Sequence, residues 1–241
     1  MQMIFKRYEK KYRLSAAQYK ALTARLAGRM TRDVRGAYTV FNLYYDTDRF
    51  DLIRASVEKP VYKEKFRLRC YESPRENTPV FPELKRKYRG FVYKRRIELP
   101  YAEVKGFPGK SALVPAGESQ IAREIEYFLS FHRVSAKLFL AYDRVALRGT
   151  KDSELRVTFD TDLRFRLTDL RLDGDAPLLA LSEPGTVLME VKSPGNMPIW
   201  LCRILNEEGI FPVSFSKYGF CYTKYILRQG LGERKEGRGG A

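Results

Sequence analysis

The chain has 241 residues, 44% of them hydrophobic and 13% aromatic, enough apolar content for a packed core and too much for a disordered protein. Its 45 Lys+Arg against 29 Asp+Glu give a formal net charge of +16, which implies a polyanionic partner: nucleic acid, an anionic membrane or a phosphate-rich small molecule. A single histidine (His132) and three isolated cysteines (Cys70, Cys202, Cys221) argue against Ser–His and Cys–His hydrolases, multi-histidine or zinc sites and a disulfide framework, so any metal would take oxygen ligands.

Phe5–Leu14 alternates as a strand, with Arg7, Glu9 and Lys11 on one face. Ser15 then opens a helix: Ser15 and Gln18 stand at capping-box spacing, and Leu22, Leu26 and Met30 follow at helical intervals. Tyr38–Asp46 is a second strand that ends in the turn signal YYDT, where Asp46 and Asp48 read as turn formers before metal ligands. Leu52–Val57 leads through Pro60 into Lys63–Tyr71, KEKFRLRCY. Here Lys63, Lys65, Arg67 and Arg69 alternate with Phe66, Leu68 and Cys70, so four cations share one face and three apolar groups the other. Like charges about 7 Å apart along a strand repel unless water or an anion screens them.

SPRENTP (Ser73–Pro79) is a loop. Val80–Tyr88 brings Glu83, Lys85 and Lys87 to one face, Gly90 marks a turn, and Phe91–Leu99 returns with Tyr93, Lys94 and Arg96 as the second arm of a hairpin. Residues 101–118 read as a Gly- and Pro-rich loop with at most one helical turn. Ser119–Phe131 is an amphipathic helix (Ile121, Ile125, Phe128, Leu129), and His132 at its end reads as a surface or capping residue. Lys137–Leu147 is a strand with Tyr142 and Arg144 on one face. Glu154–Phe165 alternates Arg156, Thr158 and Asp160, with Arg164 and Arg166 continuing that face; Asp160 reads equally as a second metal ligand or as an ion-pair partner of Arg156. Val187–Lys192 places Leu188, Glu190 and Lys192 on one side. Met197–Glu207 is a helix burying Trp200, Leu201, Ile204 and Leu205, and PVSFSKY leads to a last helical segment, Tyr222–Leu231. No repeat or second composition regime interrupts the chain, so residues 1–230 are expected to form one domain and residues 231–241 a disordered basic tail.

Strands with one charged face each need a common geometry. A flat sheet would leave its basic face open to solvent, whereas a barrel turns the charged faces inward, packs the apolar faces against helices and removes exposed edges. So large a basic surface favours closure. The expected fold is therefore α+β: eight or more strands closed into a β-barrel whose charged faces line a tunnel, with helices packed on the outside. At an effective dielectric of about 20, two unit charges about 4 Å apart interact by about 4 kcal/mol. An empty tunnel of cations is thus unstable, and a linear polyphosphate would relieve it. Carboxylates enter this surface as Glu-x-Lys, in Glu9/Lys11, Glu83/Lys85 and Glu190/Lys192. Each pair reads as an ion pair within one strand. Repeated on three cationic strands, they also read as carboxylates for a divalent cation beside cations for phosphate. The strand faces make Lys65, Lys87, Arg96, Arg156 and Lys192 candidate substrate-binding cations.

RYEKKYRL, LYYDT, KFRLRCY, ELKRK followed by KRR, AYDR, RVTFDTDL, LMEVK and SFSKY occur in that order between Arg7 and Tyr218. Together they resemble the catalytic domain of the vacuolar transporter chaperone (VTC) polyphosphate polymerases, a resemblance that spans residues 4–228. That domain belongs to the triphosphate tunnel metalloenzyme superfamily, with the CYTH phosphohydrolases and cyclases. The resemblance implies an eight-stranded antiparallel β-barrel tunnel that binds a nucleoside triphosphate with Mn²⁺ or Mg²⁺ and moves the terminal phosphate of ATP onto a growing polyphosphate chain, releasing ADP. By the same resemblance Lys11, Arg67, Arg69, Lys85, Lys94, Tyr142 and Arg144 contact phosphates, Ser216 and Lys217 lie at the substrate end, and Glu190 holds the metal. Ser214 departs from the eukaryotic pattern, which has lysine there, and so removes one phosphate contact.

Two other readings stay open: hydrolysis of tripolyphosphate or a nucleoside triphosphate on the same scaffold, and a non-catalytic polyphosphate-binding module, for which Glu190 would be superfluous. Expected partners are ATP and polyphosphate or another triphosphate, with no specific nucleic acid. The N-terminal stretch lacks the apolar run of a signal peptide and no segment approaches a membrane span, so a cytoplasmic location is expected. The accessory and transmembrane domains of the eukaryotic complex have no counterpart in the sequence, and a membrane-protein partner would have to supply regulation or translocation.

Overall fold

The computed structural model describes residues 8–58, 60–89, 91–107 and 119–228. The expected tail at 231–241, the turn at Gly90, residues 5–7 of the first strand and residues 108–118 lie outside them. In chain order the elements begin with β1 (Tyr8–Leu14), α1 (Ala16–Leu26), β2 (Met30–Asp46), α2 (Asp51–Val57) and β3 (Tyr62–Cys70). They continue with β4 (Pro79–Tyr88), β5 (Phe91–Arg96), β6 (Leu99–Pro100), α3 (Tyr101–Val104), α4 (Gln120–His132) and β7 (Ser135–Gly149). Last come β8 (Arg156–Arg166), β9 (Leu179–Ala180), β10 (Val187–Ser193), α5 (Ile199–Glu207), α6 (Lys217–Cys221) and a π-helical turn, Tyr222–Ile226.

The fold is α+β. Its sheet has the hydrogen-bonded order β1-β10-β8-β7-β2-β3-β4-β5, with β6 on β4 and β9 on β8. The ladders β1/β10, β10/β8, β2/β3, β3/β4 and β4/β5 are antiparallel. Among the described residues no ladder joins β1 to β5, so hydrogen bonding does not close the expected barrel. No helix among them is long and apolar enough to cross a membrane.

The chain divides into two compact units, Met1–Val40 with Ala141–Phe165 and Leu178–Ser214, and Phe41–Leu140 with Arg166–Pro177 and Phe215–Ala241. In the first unit the strand period of two decides the layers. Tyr12 and Leu14 of β1, Val157 and Phe159 of β8, and Val187, Met189 and Val191 of β10 turn to one face and form a single buried cluster with Leu22 and Leu26 of α1 and Leu201, Ile204 and Leu205 of α5. Each fully buried side chain of this size contributes about 1.5–3 kcal/mol relative to exposure. Ser15 caps α1 as its spacing predicts: Ser15 Oγ accepts from Gln18 N at 3.2 Å and Ser15 N donates to Gln18 Oε1 at 3.1 Å. Met30 does not extend that helix. The chain turns at positive-φ Gly28 (φ 76°) and Met30 begins β2, which starts earlier than the sequence predicts. Trp200 is half-buried against the core, with the Arg29 guanidinium 5.1 Å from its ring.

In the second unit Phe66 of β3 and Leu84 of β4 face Ile125 and Phe128 of α4, all buried, with Phe66 and Phe128 rings 5.9 Å apart. Segment 52–57 is helical because Asp46 caps it. The buried carboxylate accepts from Thr47 N (2.9 Å), Leu52 N (3.0 Å) and Ile53 N (2.9 Å), and from Tyr218 Oη at 3.0 Å. Burial raises the Asp46 pKa, and these hydrogen bonds oppose the rise. Asp46 is therefore a local structural group, as the turn reading expects. His132 ends α4 as expected, its Nε2 3.1 Å from Glu64 Oε2.

Candidate functional site

The face of β3, β4 and β5 opposite α4 carries a dense array of charge. Register sets Lys65, Lys85 and Lys94 side by side across the three strands, and Arg67, Glu83 and Arg96 in the next row. Glu83, 2% exposed, is the centre of this array. Arg67 donates to its Oε2 from Nε (2.9 Å) and Nη2 (2.7 Å), and Lys94 Nζ lies 2.7 Å from Oε1. Arg96 Nη1 stands 3.8 Å from Oε1 and Arg69 Nη1 3.9 Å from Oε2. Burial opposes ionisation of Glu83, but the charges of Arg67, Arg69 and Lys94 outweigh it and hold the carboxyl well below its usual range. Burial pulls the Lys94 ammonium below its own usual range despite Glu83 beside it.

The guanidinium groups are oriented further by neutral partners. Arg67 Nη1 donates to Tyr44 Oη at 3.1 Å, and Arg69 Nε donates to Asn42 Oδ1 at 2.9 Å. Arg96 lies over the Phe81 ring at 3.5 Å and reaches Tyr71 Oη at 3.4 Å. Lys65 Nζ donates to Ser216 Oγ at 2.9 Å, and that oxygen also accepts from Gly219 N at 3.2 Å as the cap of α6, which Lys217 begins. Lys87 sits one row beyond the lysines, opposite Lys63 and Val92.

A second constellation lies in the first unit, on the face of β1, β10 and β8 turned away from the core. Lys11 pairs in register with Glu190, and Glu190 with Thr158; Glu9, Lys192 and Arg156 form the adjacent row. Glu190 Oε1 is 3.7 Å from Lys11 Nζ, and Oε2 is 3.5 Å from Lys192 Nζ. Arg144 holds Asp160, which is fully buried, through Nε (2.6 Å) and Nη2 (2.8 Å). Burial disfavours the Arg144 charge, yet Tyr142, Asp160 and Glu190 outweigh it and raise the guanidinium pKa further. Tyr142, 2% exposed, has the Arg144 Cζ 5.2 Å from its ring.

Several sequence expectations change on this geometry. Asp160 is the bidentate partner of Arg144, so of the two roles left open for it an ion pair is realised, with a different arginine from Arg156. Glu83 takes Arg67 and Lys94 from neighbouring strands as its close partners, where the sequence suggested Lys85 two residues along. Arg164 pairs with Asp143 at 3.0 Å, and Arg166, 3% exposed, donates to the Asp169 and Arg171 carbonyls. Sequence reasoning missed Asn42 and Tyr44 as members of these arrays, and it placed Thr158 on the charged face of its strand without giving it a role. The signal was present for the first two, since Asn42, Tyr44 and Asp46 alternate in one strand.

Among the described residues no group of three or more His, Cys, Asp or Glu could hold a metal ion. Glu190 nonetheless has a polar neighbour in need of a partner. Thr158 Oγ1, on the strand position facing Glu190, is buried without a hydrogen bond. A carboxylate beside an unsatisfied hydroxyl oxygen suits a hard divalent cation that takes its other ligands from phosphate and water.

Fold and site together define an α+β protein whose antiparallel sheet carries cations gathered around single carboxylates. Among solved structures it is similar to a candidate adenylate cyclase of Bacillus halodurans, with a TM-score of 0.53 at 17% identity over 86% of this chain and 92% of that one. It also matches a candidate adenylate cyclase of Vibrio parahaemolyticus, with a TM-score of 0.47 at 10% identity over 91% of this chain and 98% of that one. A comparison with curated proteins finds no match. The model of the VTC domain matches residues 6–226, and the chain belongs to that family.

Proposed function

We propose that this protein is a metal-dependent polyphosphate polymerase that transfers the terminal phosphate of ATP onto a growing polyphosphate chain. The observation that carries the reading is the ordered cation array on β3, β4 and β5, where a row of three lysines adjoins arginines already aimed by Glu83, Tyr44 and Asn42. Phosphoryl transfer asks a protein mainly for positioning and for fixed positive charge where negative charge shifts. Arg67, Arg69, Lys94 and Arg96 have both, because partners hold them before substrate arrives. Lys65, Lys85 and Lys87 would extend the same rows along a chain of phosphates, with Ser216 and Lys217 at one end.

In the first unit Lys11, Lys192, Arg144 and Arg156 would bind phosphate oxygens, and Tyr142, being buried, would act beneath Arg144 by fixing it. Glu190 with Thr158 would hold Mn²⁺ or Mg²⁺, which supplies Lewis-acid neutralisation of the reacting phosphoryl oxygens. The proposal takes residues 1–230 as one functional domain, cytoplasmic ATP as the donor and the closed eight-stranded tunnel as the binding arrangement.

Incubating the pure protein with ATP and Mn²⁺, then assaying long-chain polyphosphate, ADP and free phosphate, tests the reading. Polymer and ADP in step are expected. Free phosphate without polymer would replace the polymerase by a hydrolase on the same residues, and no turnover of any triphosphate would leave a binding module.

A further inference from the structure

We infer that the β4–β5 hairpin is a docking element for a bilayer surface rich in anionic phospholipid. Register places Tyr62, Tyr88 and Phe91 abreast on three neighbouring strands, where they are 48%, 44% and 49% exposed. Two rows further along, the same sheet face carries Phe66 and Leu84, fully buried beneath α4. Between these two rows the same face carries the Glu64–Arg86 ion pair, so the sheet runs past its covering helix through one charged row and ends in an exposed aromatic one. Tyr93 adds to this face, while Val92 turns to the opposite one, and both are also exposed. The end of the hairpin therefore exposes apolar side chains on both faces, with Lys87 and Lys63 in register beside Val92 on one of them, an arrangement suited to insertion between anionic headgroups.

Charge decides what the hairpin would meet. From Lys85 to Arg96 the sequence carries seven Lys and Arg and no Asp or Glu. Toward the base these cations answer carboxylates from elsewhere: Arg86 and Arg95 reach Glu124, and Lys94 and Arg96 reach Glu83. At the tip stand Lys87 and Arg89, the latter exposed with its guanidinium 5.3 Å from the Tyr88 ring. Tyrosine rings settle at the headgroup level of a bilayer, aliphatic and Phe side chains reach the acyl boundary, and nearby cations are drawn to anionic lipids. Single-stranded nucleic acid fits less well. It needs open ring faces on which bases stack, whereas Arg89 already lies over Tyr88 and Phe91 and Val92 diverge to opposite sides.

The test is cosedimentation of the full chain with vesicles of phosphatidylcholine alone and of phosphatidylcholine with phosphatidylserine, beside a binding assay with poly-uridine RNA. The parent is expected to bind the phosphatidylserine vesicles, to ignore the neutral ones and to bind the RNA more weakly. A strongly basic protein can adhere to any anionic surface by charge alone, so the decisive variant leaves charge unchanged. The double variant F91S/V92S should lose at least about tenfold in vesicle partitioning, the direction expected when inserted apolar area is removed, while triphosphate affinity and the unfolding midpoint stay those of the parent. In a second variant, Phe91→Trp, fluorescence should shift to the blue on phosphatidylserine vesicles once the parent's Trp200 signal is subtracted. Equal partitioning of F91S/V92S and parent, no blue shift in Phe91→Trp, or tighter binding to RNA than to vesicles would each overturn the inference.

Discussion

Replacing Glu83 by Gln preserves the shape of the side chain and removes one negative charge from beneath four cations. Arg67 and Lys94 approach that carboxylate to 2.7 Å, and Arg69 and Arg96 lie within 3.9 Å of it. Breaking a buried ion pair by removing one partner costs about 3–5 kcal/mol, because the remaining charge is left uncompensated. Here several charges lose one shared partner, so the upper part of that range is expected, measured as the fall in unfolding free energy in urea at pH 7. Tripolyphosphate, which brings replacement negative charge, should restore more stability to the variant than to the parent.

The pH dependence carries a sign. The folded-state pKa of Glu83 is depressed below the unfolded value of about 4.3, so its contribution is fully present above that pH and lost as pH falls toward the folded value. Below about pH 4.3 the parent should therefore lose stability more steeply than Glu83→Gln. An unfolding free energy for the variant within about 0.5 kcal/mol of the parent at pH 7, the range of an ordinary surface substitution, would refute the anchoring role.

Three further outcomes are expected. Glu190→Gln should lower turnover at least about a hundredfold, comparable to losing one electrostatic contact to a transition state, while triphosphate binding measured by calorimetry largely survives; full activity at ordinary Mn²⁺ would move the metal away from Glu190. Arg67→Ala should weaken triphosphate binding by about 1.5–3 kcal/mol, the worth of a charged hydrogen bond. It should also lower stability, since the buried Glu83 loses its closest guanidinium; a rise in the urea midpoint would show that repulsion governs the empty array. Asp160→Asn should destabilise the fold by about 3–5 kcal/mol by stranding the Arg144 charge, and an unchanged urea midpoint would contradict the ion pair.

What the sequence determined by itself is what a strand or a helical turn decides locally. Alternation placed Lys65 and Arg67 on one face and Phe66 and Leu68 on the other, and it separated Glu190 and Lys192 from Met189 and Val191, because successive strand side chains must point to opposite sides. The capping box of Ser15 and Gln18 and the turn role of Asp46 were legible for the same reason, since Ser15 and Gln18 bond each other and Asp46 accepts from Thr47, Leu52 and Ile53, whereas the hydrogen bond from Tyr218 to Asp46 was not. The family was legible in the order of its motifs. Spacing within a strand also named Lys192 as a partner of Glu190 and Lys11 as a partner of Glu9, and both pairs form, but only the tertiary structure decided which cations answer Glu83 and Asp160. Residues two apart along a strand stand about 7 Å apart, whereas neighbours on adjacent strands are separated by about 4.8 Å. Strand pairing could therefore bring Glu83 to Arg67 and Lys94, and Asp160 to Arg144, more closely than spacing within one strand suggested. That pairing joins different strands, and alternation within one strand does not fix its register, although the expected hairpin already set the strand of Glu83 beside that of Lys94.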